Sequence, residues 1–203
     1  MKLQCSDINH YLESDNIIDF NSSPGIINLS QDINARTSNE IEFIKAAYEY
    51  IRDNIHHSAD IQGKIVTCRA SEVLSAKEGI CYAKSHLLAA ILRANQIPAG
   101  LCYQRLILDD ETAPYLILHG LNAVYVKSID RWIRLDARGN KPGVDAQFSL
   151  EKEQLAFPVR THKGEYDIPI IYADANANVV DVLMRCKTLD ELWRQLPTNL
   201  ADL

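Results

Sequence analysis

Cys81, His119 and Asp136 are the residues around which a reaction can be arranged. A thiol that attacks a carbonyl needs a base to take its proton and hand it to the leaving group. That base works better when a carboxylate fixes its tautomer. Cys81 follows Glu78-Gly79-Ile80 and opens a segment, 81–95, that carries Leu87, Leu88, Ala89, Ala90, Ile91, Leu92 and Ala94 with no Gly or Pro. The pattern predicts a helix apolar on most of its circumference, hence a core helix. At its first position a cysteine has unpaired backbone N–H groups and the positive end of the helix dipole beside its sulfur, and both favour thiolate. A lone cysteine is more often a small apolar side chain under a turn; the downstream residues change that reading. His119 sits mid-strand among Leu116, Ile117, Leu118, Leu121, Val124 and Val126, and Asp136 closes the next strand after Trp132-Ile133-Arg134-Leu135. With a hairpin turn near Ile129, position 119 pairs roughly with 139, so Asp136 falls a few residues from opposite and a small register change or bulge makes them neighbours. Either residue alone is more often structural, whereas three such types in this order and on these elements are a signal.

The elements that must position them read as follows. Residues 1–36 mix short apolar runs with Asn21-Ser22-Ser23-Pro24-Gly25, predicting a turn and then a short strand at Ile26-Ile27-Asn28-Leu29. Thr37-Ser38-Asn39-Glu40 fits a capping box, and Ile41, Ile44, Tyr48, Ile51 and Ile55 recur at helical spacing, predicting an amphipathic helix over 38–56. His56-His57 then reads as a solvated helix end rather than a metal site, because adjacent residues cannot face the same way on a helix. A short helix over 70–77 is predicted to end on Gly79 as a left-handed cap. Pro98 stops the buried helix. Extended segments at 101–108, 115–127 and 131–136 predict an antiparallel sheet of at least three strands. Near the end, the capping box Thr188-Leu189-Asp190-Glu191 starts a short helix with Leu192, Trp193 and Leu196, stopped by Pro197. Helices first and sheet second make an α+β layout.

Composition narrows the class. The 203 residues are 47% apolar and 24% charged, and 21 Lys+Arg against 27 Asp+Glu give a net charge of −6. Such a chain reads as one soluble globular domain over 1–203, with no electrostatic reason to expect nucleic acid or an anionic membrane as partner. No run approaches the roughly 18 apolar residues of a membrane span and Met1–Asp7 carries no apolar leader core, so cytoplasmic residence is the simplest expectation. Cys5, Cys68, Cys81, Cys102 and Cys186 are odd in number and lack C-x-x-C spacing, suggesting neither a disulfide framework nor a metal site. No cofactor is called for.

The pattern Ala70-Ser71-Glu72-Val73-Leu74, Gly79-Ile80-Cys81, Leu88 to Ala94, Ile97-Pro98-Ala99-Gly100, His119 to Val126 and Arg131 to Asp136 resembles the transglutaminase-like (papain-like) superfamily core, over about residues 38–140. The resemblance implies a central helix begun by the cysteine and packed on an antiparallel sheet. It makes Cys81 the nucleophile, His119 the general base and then acid, and Asp136 the orienting carboxylate. In departure from the family, Tyr82-Ala83-Lys84 follows the cysteine where bacterial members often carry an acidic residue, and His57 stands in place of the usual tyrosine. No glutamine or tryptophan oxyanion donor is identifiable; the Cys81 backbone N–H offers one donor, with Ser75, His57 or Lys77 as candidates for the second. Tyr82, His86, Arg138 and Asn140 are candidate substrate contacts.

Three functions fit. The first is acyl transfer through a Cys81 thioester on a peptide, protein or small-amide substrate, with hydrolysis (a cysteine protease or amidase) as the default and transamidation as the variant. The second is a binding module on the same fold that has lost activity, a reading weakened by the complete triad. The third is another acyltransferase such as an arylamine acetyltransferase, although the arginine-glycine-glycine run expected before its cysteine is absent. Oligomeric state is open.

Overall fold

The computed structural model describes residues 1–201, and most of its helices precede its sheet. In chain order the elements are β1 (Lys2–Leu3), α1 (Pro24–Asn34), α2 (Glu40–Asn54), β2 (His56–His57), α3 (Ala70–Ala76), β3 (Glu78–Gly79), α4 (Cys81–Ala94), β4 (Ala99–Asp109), β5 (Ala113–Val126), β6 (Arg131–Leu135), β7 (Tyr166–Tyr172), α5 (Ala177–Arg185) and α6 (Leu189–Trp193). The main sheet runs β1-β7-β4-β5-β6, antiparallel except for the β1–β7 pair. This is the α+β layout that the resemblance implies, a central helix begun by Cys81 and packed against β4 and β5 of an antiparallel sheet. Among the described residues no helix is long and apolar enough to cross a membrane.

Helix α4 is buried around nearly its whole circumference, which its run of Leu, Ala and Ile makes favourable. Its polar members are buried only because each finds a partner. Arg93 donates to the carbonyls of Glu13, Ala99 and Ala173, His86 Nδ1 bonds the Cys68 carbonyl at 2.8 Å, and Ser85 Oγ donates to the Cys81 carbonyl at 2.9 Å. Helices α1, α2 and α3 pack around α4 on the side away from the strands.

The structure corrects several local expectations. The segment read as a turn and strand at 21–29 is α1: Pro24 occupies the first helical turn, where its missing N–H is no loss, and Ile26 and Ile33 bury one face. Helix α2 starts two residues later than the predicted capping box. Asn39 accepts from Glu42 N at 3.0 Å and Glu42 reaches back to Ser38 N at 2.8 Å, while Thr37 donates to carbonyls at the end of α1. Lys77, not Gly79, supplies the left-handed residue after α3, at φ 58°. Gly79 is needed for a different reason, since a Cβ there would come within 2.9 Å of Thr67 Oγ1 and 3.1 Å of Ala83 Cβ. His57 is not solvated: β2 pairs parallel with β3, which draws His57 inside and leaves His56 exposed. Strands β1 and β7 lie outside the predicted sheet. Pro169 interrupts the β7 pattern, and β7 pairs with β4 through a register shift between Leu101 and Tyr103.

Candidate active site

Cys81 is the first residue of α4, with Ile80 as an extended cap and the first helical bond running from Lys84 N to Ile80 O. The backbone N–H groups of its first turn have no helical partner and point past the sulfur. Strand β5 brings His119 to this end. What permits the approach is Gly120, because a side chain there would collide with the first turn of α4: a Cβ would meet Tyr82 Cδ1 at 2.6 Å and Tyr82 Cα at 3.2 Å. The Tyr82 hydroxyl donates to the Leu118 carbonyl, binding helix and strand together on the other side of His119.

Asp136 stands immediately after β6. The β5–β6 register pairs Asn122 with Leu135, which sets Asp136 opposite Leu121 and one diagonal step from His119, closer than the sequence-based register placed it. His119 Nε2 donates to Asp136 Oδ2 at 2.8 Å, leaving Nδ1 outside that bond. Three more contacts fix the pair. Ala156 N donates to Asp136 Oδ2 at 3.0 Å, Arg138 N donates to Oδ1 at 3.1 Å, and the Phe157 ring meets His119 edge-on at 5.2 Å. His119 is 5% exposed and Asp136 1%.

Burial alone would push the imidazole toward neutrality. The Asp136 carboxylate, the neighbouring Cys81 sulfur and the hydrogen bond to Asp136 outweigh it and raise His119 from 6.5 to about 10. Burial would also raise the Asp136 carboxyl, but the His119 charge and hydrogen bond and the two backbone N–H donors hold it below the ordinary carboxylate range. The arrangement is that of a thiol facing an imidazole that prefers to be protonated, with a buried carboxylate as its counterion.

The remaining candidates separate. His57 and Tyr82 line the same cavity as Cys81 and His119. Burial first, and then the Arg138 charge, pull His57 down to about 3, so its ring is neutral; its Nδ1 is buried without a hydrogen-bond partner. Ser75 and Lys77 do not reach the cavity: both side chains are exposed around the end of α3, and Lys77 Nζ bonds the Tyr50 hydroxyl instead. His86 is turned into the core by its bond to Cys68. Arg138 lines the cavity, but its guanidinium is committed to Asp60, with Nη2 to Oδ1 at 2.9 Å, and Lys141 shares that carboxylate at 2.7 Å. Asn140 does not line the cavity; it staples its own loop, accepting from Ala146 N at 2.7 Å and donating to Ala146 O at 3.1 Å. Among the described residues no cluster of three or more His, Cys, Asp or Glu is placed to hold a metal ion.

Sequence reasoning missed five contributors. Lys84, one turn into α4, is wholly buried and donates to the carbonyls of Arg138 at 2.9 Å and Arg52 at 3.4 Å, and to that of Ile55, so it ties α4 to the end of α2 and to the loop after Asp136. Ala156 N, Phe157 and the tail residues Trp193 and Leu196 arrive from segments whose local patterns carry no sign of the site. For Lys84 the signal was present, as a lysine inside an otherwise apolar helix face.

Residues 27–137, more than half of the chain, match the model of the transglutaminase-like superfamily, and the chain belongs to that superfamily. Among solved structures it is similar to a candidate cysteine protease from Cytophaga hutchinsonii, at 20% identity and a TM-score of 0.52 over 66% of this chain and 43% of that one. It is also similar to the periplasmic domain of TgpA from Pseudomonas aeruginosa, at 15% identity and a TM-score of 0.45 over 64% of this chain and 47% of that one. The chain thus spans less than half the length of either structure. No curated protein matches it.

Proposed function

We propose that this protein is a cysteine-dependent acyl-transfer enzyme that hydrolyses a peptide or amide bond through a thioester on Cys81. The observation that carries the reading is the buried His119–Asp136 pair presented to a partly exposed thiol at a helix N-terminus. The Cys81 thiolate attacks the carbonyl carbon and an S–C bond forms. The Cys81 backbone N–H and the neutral His57 imidazole donate to the oxyanion. Protonated His119 gives its proton to the departing nitrogen as the C–N bond breaks and the amine leaves. His119, now neutral, takes a proton from water; the hydroxide attacks the thioester, the C–S bond breaks, and the acid leaves with thiolate and imidazolium restored. A second amine in place of water makes the same steps a transamidation. Five free thiols accord with a reducing compartment such as the cytoplasm.

The test is alkylation by iodoacetamide across about pH 5–9, with the modified residue located by mass spectrometry, in wild type and His119→Ala. Burial pushes Cys68 and Cys102 up to about 12, so neither competes. Cys81 reacting fastest, and losing that lead in the variant, supports the reading. A Cys81 no faster than the other thiols overturns it and leaves a binding module on this fold as the better description.

A further inference from the structure

We infer that the cavity beside Cys81 selects a substrate whose acyl part carries large uncharged apolar side chains. This rests on the proposed Cys81 chemistry for the orientation of the acyl group, but the recognition itself follows from the walls. The cavity holds about 610 Å³, within the range of roughly 300–1,000 Å³ typical of small-ligand sites.

Strand pairing explains its shape. Gln104 pairs with His119 and Leu106 with Ile117, and directly paired residues share a face two residues apart, so Leu106, Ile117 and Leu108 continue the surface that begins at His119. From Gln104 to Asp109 that surface extends about 16 Å at about 3.3 Å per residue, enough for several residues of an extended peptide. Phe157, Trp193 and Leu196 complete the apolar lining, and none of them lies within the segment that matches the superfamily. Those side chains are held in place. Phe157 lies between the His119 ring and the Arg138 guanidinium, whose carbon is 5.8 Å from the Phe157 centroid. The tail after Trp193 is anchored where the Pro197 carbonyl accepts from Leu118 N at 2.8 Å.

Charged residues also line the cavity, and every one is already engaged within the protein. At the Cys81 end Asp60 takes both Arg138 and Lys141. At the far end Asp110 takes Arg160 and Lys163, Glu165 takes Arg160 and the Ile107 N–H, and Asp109 accepts from Glu111 N and the Thr112 N–H and hydroxyl. A charged ligand would meet no uncommitted counterion and would lose its hydration among Leu106, Ile117 and Trp193. An uncharged apolar one gains by burial. Free polar groups converge only at Cys81, His57 and His119, where the scissile amide would sit.

The experiment uses Cys81→Ala, which binds without turning over, titrated with N-acetyl-Leu-Phe-amide and separately with N-acetyl-Ser-Glu-amide. The readout is the two-dimensional NMR signal of the Trp193 indole N–H. The apolar amide is expected to shift this signal and to bind about tenfold to a hundredfold more tightly than the acidic one, the ratio set by burying one or two large side chains. Adding Ile117→Lys should remove that preference, and so should Trp193→Ala, whose two affinities are read by isothermal titration calorimetry because that variant lacks the indole reporter. Equal affinities, tighter binding of the acidic amide, or no response of the Trp193 signal to either amide overturns the inference. Because iodoacetamide carries no side chain, its rate at Cys81 reports the catalytic reading alone. Apolar binding with an inert thiol sinks the chemistry and keeps the pocket, and a reactive thiol with no apolar preference does the reverse.

Discussion

Asp136→Asn should unmake the site while leaving its shape nearly intact. In the wild type His119 is raised from 6.5 to about 10, which at about 1.4 kcal/mol per pH unit is worth about 5 kcal/mol in favour of the charged ring. Burial opposes that charge, and the Asp136 carboxylate leads the effects that overcome it. An amide in its place carries no charge and has one oxygen where the carboxylate uses two, Oδ2 for His119 and Ala156 N and Oδ1 for Arg138 N, so its NH2 must face one of these N–H donors and the ring is left buried without its counterion and discharged below 6.5. At pH 7 an imidazole of pKa 6.5 is protonated in only roughly a quarter of molecules, and each further unit of depression removes about tenfold more. Alkylation of Cys81 at pH 7 should therefore fall at least fourfold, and about tenfold to a hundredfold if burial dominates. Stability gives an independent reading. A raised folded pKa on His119 contributes stability that is fully present below 6.5 and is lost as pH rises through about 10. A lowered folded pKa on Asp136 contributes stability that is present above 3.8 and is lost as pH falls through the folded value. The gap in unfolding free energy between wild type and Asp136→Asn, measured by urea titration, should thus be widest between about pH 4 and 6.5 and should shrink toward pH 10. A gap that stays constant across that range, or a variant alkylated as fast as wild type at pH 7, refutes the reasoning.

Gly120→Ala should push the first turn of α4 off β5, because its Cβ would lie 2.6 Å from Tyr82 Cδ1; a loss of about 1–3 kcal/mol in urea unfolding is expected, together with slower alkylation of Cys81. Lys84→Met tests a buried cation. Burial first, and then the Arg138 charge, lower Lys84 to about 7 against 10.5 unfolded, so between those values the unfolded chain holds the extra proton and wild-type stability rises with pH. Urea midpoints of the variant should lack that rise. His57→Phe should reduce turnover of an amide substrate by about a hundredfold, the usual effect of losing one oxyanion donor, while iodoacetamide alkylation of Cys81 stays at the wild-type rate.

Much of the fold was legible locally because it rests on periodicity. The segment from Cys81 to Asn95, without Gly or Pro and longer than an ordinary strand, reads as a buried helix, and Val124 to Asp136 reads as a hairpin, so Cys81, His119 and Asp136 could be assigned to a helix start, a mid-strand and a strand end before any contact was known. The misreadings were of element type at Pro24-Gly25 and of a boundary at Gly79. Pro24-Gly25 reads as a breaker until the helix it starts has a core to pack on, and Gly79 reads as a cap until Thr67 and Ala83 are seen to crowd it.

What the sequence by itself determined is the list of reactive groups, their order, and the elements that carry them, because helix and strand periods are local properties of the chain. What only the tertiary structure decided is which groups share a cavity. It turned His57 inward by a two-residue bridge to Glu78–Gly79, turned His86 away to Cys68, gave Arg138 to Asp60, and brought Phe157, Trp193 and Leu196 from distant segments to wall the site. Those outcomes depend on the register of strands and on the desolvation of charges. Both are settled only when segments far apart in the chain are packed together.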